Sequence, residues 1–336
     1  MKFIGEQEKL QPLSALFTKF SFSIIRRLNF KRLFNIICLL TEIKLKKTKL
    51  KSRPIIAKIN TFPFCNLKCP GCFGKKNHVR SRNILTLDQY KQIIDKISDY
   101  LMLVILYDEG EPLLNNDICR IVEYTNNLNI STSISSNFSL ELSDQVIEEL
   151  VLSGLDRLRI AIDGMSQEVY ERYRVHGKVS LVKKNLERII IEKRRHNRKT
   201  PVIEMQYLNF GYNAHQLEEA KQYGQSLGVD EFTTFSAQAD DFWIPYSGEA
   251  TDRIKMGCSW VWGSLYVSNN GNIFPCHYGE DNDMDAIGSI FEDSLENLWN
   301  NSYLQNLRKS FQKNQPPFYE MCQQCPVTQS LPLFLR

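Results

Sequence analysis

The residues with the clearest chemical meaning are nine cysteines, at 38, 65, 69, 72, 119, 258, 276, 322 and 325, seven of them in two spaced groups. Cys65, Cys69 and Cys72 form a CxxxCxxC triplet within Phe64-Cys65-Asn66-Leu67-Lys68-Cys69-Pro70-Gly71-Cys72. Three thiolates on one short loop can hold three corners of an iron–sulfur cube and leave the fourth iron open, because soft sulfur ligands suit iron. A structural zinc site would want a fourth protein ligand nearby, and the nearest histidine, His78, stands six residues past Cys72. Cys258, Cys276, Cys322 and Cys325 follow the spacing C-x17-C-x45-C-x2-C, a set that can close around zinc or an iron–sulfur cube. In a reducing compartment such groups read as metal ligands rather than disulfides. Cys38 and Cys119 stand apart and read as buried thiols on helices.

The elements that must position these groups show in the hydropathy. Apolar runs predict strands over 55–60, 103–108, 130–135, 157–163, 202–210 and 231–236. Between them helical spacing predicts helices over 86–100, 118–126, 143–152, 181–195 and 213–227, with Ser153-Gly154 ending one and Asn213 capping another. Strands that alternate with crossovers pair in parallel, and right-handed crossovers curl the sheet. The fold class is therefore α/β, a partial (β/α)6 barrel of the TIM type, with functional residues in the loops after the strands. Beyond about residue 240 the rhythm breaks. Two short apolar runs flank Asn269-Asn270-Gly271-Asn272, a hairpin signal with Asn and Gly for the positive angles of a tight turn, and a polar helix follows over 295–311. This C-terminal segment has a thin core and four cysteines, which suggests a metal staple. The expected division is 1–53, a basic helical extension; 54–239, the barrel; and 240–336, the small C-terminal domain.

Length and composition bound the rest. A chain of 336 residues, 43% hydrophobic and 24% charged, has the makings of about two soluble domains rather than a disordered chain. No run of about 20 consecutive apolar residues, the length that spans a bilayer as a helix, occurs in the chain. No secretory leader is evident, so the expected location is the cytoplasm. The net charge of +4 hides an asymmetry, since residues 1–53 carry +10 and the remainder −6. That segment has apolar residues at helical spacing (Leu13, Leu16, Phe20, Ile24, then Leu33, Ile36, Leu40) interleaved with Arg26, Arg27, Lys31 and Arg32. It could lie on the anionic inner face of a membrane as a peripheral contact, or pack on the barrel with its charges in water. No nucleic-acid module accompanies the basic residues, so nucleic acid is not an expected partner.

Taken in order, four segments resemble the radical S-adenosylmethionine superfamily: the CxxxCxxC loop, Glu109-Gly110-Glu111-Pro112 after the second strand, Ser135-Ser136-Asn137 after the third, and Arg159-Ile160-Ala161-Ile162-Asp163-Gly164 at the fourth. Glu109 replaces the usual first glycine of its motif, and Ala161 stands where many relatives have serine. The resemblance implies a [4Fe-4S] cluster on Cys65, Cys69 and Cys72 that cleaves S-adenosylmethionine to a 5'-deoxyadenosyl radical, which takes hydrogen from a substrate. It implies that Glu109, Gly110, Glu111 and Pro112 receive the methionine end of the cofactor, with Glu111 accepting from its ammonium. Asn137, Arg174 and the backbone near Leu208 are the candidates for the carboxylate, ribose and adenine. The second cysteine set, with Gly271-Asn272-Ile273-Phe274-Pro275-Cys276 and Leu295-Glu296-Asn297-Leu298-Trp299-Asn300, resembles the shortened SPASM or twitch extension. That implies one auxiliary [4Fe-4S] cluster on Cys258, Cys276, Cys322 and Cys325, suited to electron transfer, and a donor such as flavodoxin or ferredoxin.

The substrate implied is a peptide or a small molecule. Peptide or protein modification by a maturase is the leading expectation, with dehydrogenation of a sugar or aminocyclitol as the alternative. A metal-stabilised binding protein without chemistry is the rival of a different class. Asp163, Asp240 and Tyr107 are the candidate catalytic groups, with Asp108 and Asp241 beside them near the pocket mouth.

Overall fold

The computed structural model describes residues 2–4, 21–70, 72, 83–108, 110–236, 258, 260–276, 286–311 and 322. Its centre is a run of parallel strands: β2 (Ile56–Ile59), β3 (Leu103–Ile105), β4 (Ser131–Ser136), β5 (Arg157–Ala161), β6 (Val202–Asn209) and β7 (Glu231–Ser236). Each pairs with the next in chain order. β1 (Lys2–Ile4) adds to β7 in parallel, and at the other edge come β8 (Ser264–Val267), β9 (Asn272–Phe274) and β10 (Gly288–Ser289). The order is β1-β7-β6-β5-β4-β3-β2-β8-β9-β10, and no pairing among the described residues joins its two edges. The result is an α/β sheet of mainly parallel strands, in line with the expected class.

Parallel register divides the sheet into two faces. Tyr266, Lys58, Ile105, Ser133 and Arg157 form one row, and Ser135, Arg159, Glu204 and Glu231 form the next on the same face. The opposite face carries Ile59, Val104, Ile134, Leu158, Ile160, Ile203, Met205 and Phe232, all buried in one continuous core with the helices. Those helices are α3 (Leu87–Ile97), α4 (Ile118–Asn127), α5 (Asp144–Leu152), α6 (Gln167–Tyr173), α7 (Val179–Arg195) and α8 (Leu217–Leu227), where labels begin with α1 (Ser21–Arg26) and α2 (Phe30–Lys44). Caps fix several starts: Thr86 forms a capping box with Gln89, and the Ser143 side chain accepts from the Val146 N–H.

Some expectations are corrected. The segment 1–53 is not all helix, because β1 extends the sheet. The packed stripe of α2 is Arg32, Asn35, Leu39 and Glu42, while Leu33 is exposed. Leu13, Leu16 and Phe20 lie outside the described residues. Asn213 does not cap α8: it sits in the 3-10 turn Gly211–Gln216, and its amide serves β6 instead. The β8–β9 turn spans four residues with only Gly271 at positive φ, 82°. The polar helix at 295–311 is two helices after α9 (Trp260–Gly263): α10 (Leu295–Trp299) and α11 (Ser302–Ser310), the latter begun by an Asn301 cap. The expected break after residue 239 falls outside the described residues, yet β8 is hydrogen-bonded to β2, so the C-terminal hairpin is continuous with the sheet.

Arg308 of α11 fastens this junction. Fully buried, its guanidinium donates to the carbonyls of Val261 (2.9 Å), Thr48 (3.1 Å) and Trp299 (3.0 Å) and lies 4.6 Å over the Trp299 ring. Arg308→Ala strands three buried acceptors and should lower the free energy of unfolding by about 3 kcal/mol. Urea unfolding reads this as a lower midpoint at unchanged slope. Arg308→Lys should recover little, because a point charge cannot reach three carbonyls as the planar fork does.

Candidate active site at the strand ends

The sequence-predicted groups gather at the C-terminal ends of β2 to β6, where this kind of sheet places its chemistry. The cysteine loop leaves β2 without secondary structure of its own. The Asn66 amide donates to the Ser139 carbonyl (2.8 Å), and the Lys68 N–H donates to the Val175 carbonyl (3.0 Å). Polar donors approach two of the sulfurs: Asn137 Nδ2 stands 3.6 Å from Cys65 Sγ, and Arg174 Nη1 3.9 Å from Cys69 Sγ. Burial pushes the Cys65 thiol up to about 12, and raises Cys69 also, against the pull of Arg174. Without a metal these thiols stay protonated; a cluster supplies the positive charge that three neighbouring thiolates need. The donor set and its polar surround therefore fit an iron–sulfur cluster.

Beside this loop the chain after β3 comes very close. A Cβ on Gly110 would lie 1.8 Å from the Phe62 carbonyl oxygen, and the Glu111 N–H donates to the Phe64 carbonyl (2.8 Å), so only glycine fits. Glu111 is buried, and its carboxylate accepts the N–H of Asn137 (2.7 Å) and of Leu113 (3.1 Å). Burial pushes the carboxyl up to about 7 despite these two bonds. Pro112 opens the 3-10 turn Pro112–Leu114 that presents the Leu113 amide. Asn137 is aimed by Phe138, a bulky residue at φ 56°. Such a residue in the left-handed region is strained and marks a turn that the surroundings dictate. Glu109 lies outside the described residues, as do Asp240, Asp241, His78 and His277.

A second buried group stands across the loop. Asp163, after β5, accepts from Arg174 Nε (2.5 Å) and from the Leu208 N–H (2.7 Å), and its backbone carbonyl accepts from Asn213 (2.8 Å). Burial raises the Asp163 carboxyl, while Arg174 and the Leu208 N–H hold it down. Both carboxylate oxygens are thus committed to holding Arg174 toward Cys69 and fixing the end of β6. The side chain of Leu208 packs with Leu67, Cys69, Tyr173, Phe210 and Tyr212, an apolar and aromatic wall on the cysteine loop.

Toward the inner face, Tyr107 OH lies 3.5 Å from Arg159 Nη1. Asp108 pairs with Lys58 and accepts from Tyr266 OH (2.6 Å). Lys58 and Tyr266 gave no signal in the sequence beyond being polar residues in strands; only the register, which sets them side by side, reveals them. Cys258 and Cys322 are buried and Cys276 half-buried; Cys325 lies outside the described residues. Cys119 is buried and Cys38 half-buried, each on a helix.

Residues 59–223 match the family model of the radical SAM superfamily, and residues 258–326 that of an iron-sulfur cluster-binding domain, SPASM. The chain belongs to the radical SAM superfamily and carries a SPASM domain on its C-terminal side. Membership implies a [4Fe-4S] cluster and S-adenosylmethionine in the barrel, auxiliary iron–sulfur in the SPASM domain, and an enzyme of redox chemistry. A curated relative, the AdoMet-dependent heme synthase of Methanosarcina barkeri, is 29% identical over 110 residues, 33% of this chain and 31% of that protein. The chain thus matches about a third of that relative's length. Among solved structures, Streptococcus suis SuiB bound to S-adenosylmethionine matches with a TM-score of 0.63 at 16% identity, covering 94% of this chain and 83% of that one. BtrN in complex with AdoMet and 2-DOIA matches with a TM-score of 0.54 at 15% identity, covering 82% and 94%. At such identities the likeness is one of fold.

The latch of Asp163 and Arg174 makes a measurable demand. Asp163→Asn leaves a buried guanidinium without its counter-charge and should cost about 3–5 kcal/mol of stability. Combining it with Arg174→Met should cost less than the two single changes together, with a coupling of at least about 1 kcal/mol in a double-mutant cycle of chemical unfolding.

Proposed function

We propose that this chain is a radical S-adenosylmethionine maturase acting on a peptide or protein. The observation that carries the catalytic half is the convergence of the cysteine loop, Asn137 and Glu111 at adjoining strand ends, within direct hydrogen-bond reach of one another. The fold shared with SuiB, whose structure bound to the precursor peptide SuiA also matches, supports the peptide half.

In this reading Cys65, Cys69 and Cys72 would hold the catalytic cluster, and Cys258, Cys276, Cys322 and Cys325 the auxiliary one. When bound, the catalytic cluster and S-adenosylmethionine supply a radical able to take a hydrogen atom from the substrate. The rest falls to the side chains. Glu111 accepts the methionine ammonium on a carboxylate already oriented by two amides. Gly110, having no side chain, lets the chain pass close to the cysteine loop. Asn137 and Arg174 offer N–H groups to the cofactor's carboxylate and ribose, and Asp163 positions Arg174. Leu208, Tyr173, Phe210 and Tyr212 exclude water from the adenine side. Asp108, paired with Lys58, would accept the proton that a substrate sheds when it is oxidised, and Tyr107 would line the entrance. An electron donor of the flavodoxin or ferredoxin kind would reduce the cluster.

Dehydrogenation of a sugar or aminocyclitol is the second reading, favoured by the polar inner face. Arg157 pairs there with Glu204 and Glu231, and Arg159 with Glu204, where barrels ordinarily carry branched apolar residues. Against a binding protein without chemistry stands the retention of every cluster cysteine and of Glu111.

Anaerobically reconstituted protein should hold about eight irons, falling to about four when Cys65, Cys69 and Cys72 are all changed to Ala, with loss of 5'-deoxyadenosine formation under reductant. Eight irons retained in that variant, or no 5'-deoxyadenosine from the wild type, would defeat the proposal. Glu111 supplies a pH test. With a folded value near 7 against 4.5 unfolded, the folded state binds more protons between the two, so Glu111's contribution to stability is present at low pH and lost as pH rises through about 7. An ammonium ligand favours the carboxylate, so affinity for S-adenosylmethionine should fall up to about tenfold per pH unit below 7 and level off above it. Calorimetric titration should show that dependence, and Glu111→Gln should bind weakly and without it.

A further inference from the structure

Helices α1 and α2 present an arrangement that the active site does not use. The face of α2 against the barrel carries Arg32, Asn35 and Glu42, each hydrogen-bonded, beside the apolar Leu39. The Arg32 guanidinium donates to the carbonyls of Arg27 (3.0 Å), Leu128 (3.2 Å) and Asn129, closing the C-terminal end of α4. Asn35 exchanges hydrogen bonds with the Arg53 backbone, its amide donating to the carbonyl (3.0 Å) and its oxygen accepting from the N–H (2.8 Å). Glu42 accepts from the N–H of Lys51 (2.7 Å) and of Ser52 (3.1 Å) and from the Ser52 hydroxyl (2.6 Å). Rolling the helix to bury its apolar side would unpair all three residues, each of them buried. The orientation is locked.

The locked orientation turns the greasy side outward. Phe30 is 86% exposed, Phe34 61%, Ile37 54% and Leu33 45%, at the helical spacing that forms one stripe. Of eleven large hydrophobic side chains exposed among the described residues, seven fall within 25–45. Exposed cations flank the stripe in the chain: Arg26, Lys44, Lys46, Lys47, Lys49 and Lys51, with Lys31 paired to the exposed Asp99 (2.5 Å). The one acid in the segment 21–51 is the buried Glu42. An apolar stripe in a segment so dominated by positive charge complements an anionic lipid surface, where the aromatics enter the headgroup boundary and the lysines meet the phosphates. Two copies of the same face would instead bring like charges together.

We propose that the outward face of α2, centred on Phe30, Phe34 and Ile37, docks the enzyme on a bilayer containing anionic lipid. The docking is peripheral, since no helix among the described residues is long and apolar enough to cross a membrane. It does not depend on the nature of the substrate, and its failure would leave the catalytic reading untouched.

The test is sedimentation of the full-length reconstituted protein with phosphatidylcholine vesicles, with and without phosphatidylglycerol, at low and high salt. Wild type should bind the phosphatidylglycerol vesicles and release as salt screens the lysines. The variant combining Phe30→Ser, Phe34→Ser and Ile37→Ser should bind at least about tenfold more weakly, since three large apolar contacts are lost. Lys44→Glu, Lys46→Glu and Lys47→Glu together should abolish the preference for anionic lipid. Iron content and 5'-deoxyadenosine formation should stay at wild-type level in both variants, which keeps a folding defect apart from a docking defect. Wild-type protein left in the supernatant, equal binding by the serine variant, or a wild-type dimer in light scattering that the serine changes dissolve would overturn the proposal.

Discussion

The cysteine loop, with neither helix nor strand among its described residues, must hold its sulfurs still, and its neighbours serve that constraint. Within the loop the Cys72 N–H donates to the Cys69 carbonyl (3.2 Å), and neighbouring strand ends supply the rest of its order. Asn66 reaches the chain after β4, Lys68 reaches the turn after α6, and Asn137 and Arg174 approach Cys65 and Cys69 from opposite sides. Each tether is itself tethered: Asn137 by the Glu111 carboxylate, Arg174 by that of Asp163. Two buried carboxylates therefore act as keystones, one on each flank. Their burial raises both carboxyls, and the hydrogen bonds that hold them down are the same ones that position the site.

The sheet is built so that these keystones have somewhere to stand. Its outer face is apolar and merges with the helices in one core, which supplies the rigidity. Its inner face carries Lys58, Arg157, Arg159, Glu204 and Glu231, paired along and across strands. Buried ion pairs of this kind add little stability over a well-packed apolar core. The inner face is therefore arranged for polar pairing rather than for strength.

Much of this was legible in the sequence, for identifiable reasons. The six central strands follow from short β-branched runs between helical spacings, and they lie where those runs predict. The cysteine loop was legible as a metal site from residue type and spacing, and Gly110 and Glu111 through the family resemblance of their segment. Contacts between residues far apart in the chain were not. Phe138 looks like any aromatic after a strand, yet its positive φ aims Asn137. Asn213 looks like a helix cap, but three partners at the end of β6 and after β5 outbid the helix for its amide. In α2 periodicity picked apolar positions as the packed face, whereas the polar residues Arg32, Asn35 and Glu42 find backbone groups in distant turns and take that face instead. Periodicity reports which residues avoid water, and here specific hydrogen bonds decide which way the helix turns.

The direction of β8 bears on what the second cysteine set can do. β8 runs parallel to β2, so the end of β8 lies with the cysteine loop and its start lies at the far side of the sheet. β9 runs back along β8, with Phe274 opposite Tyr266, and Cys276 follows two residues later, level with the start of β8. Cys258 also precedes that start, before α9. With four residues in β8, at about 3.3 Å per residue, the two sets are separated by at least the length of a strand. Cys258 and Cys276 thus stand away from the strand ends where Glu111 and Asn137 gather, beside the strand bonded directly to the one that leads into the cysteine loop. An iron–sulfur cluster held there would suit the role of a group that takes or passes an electron.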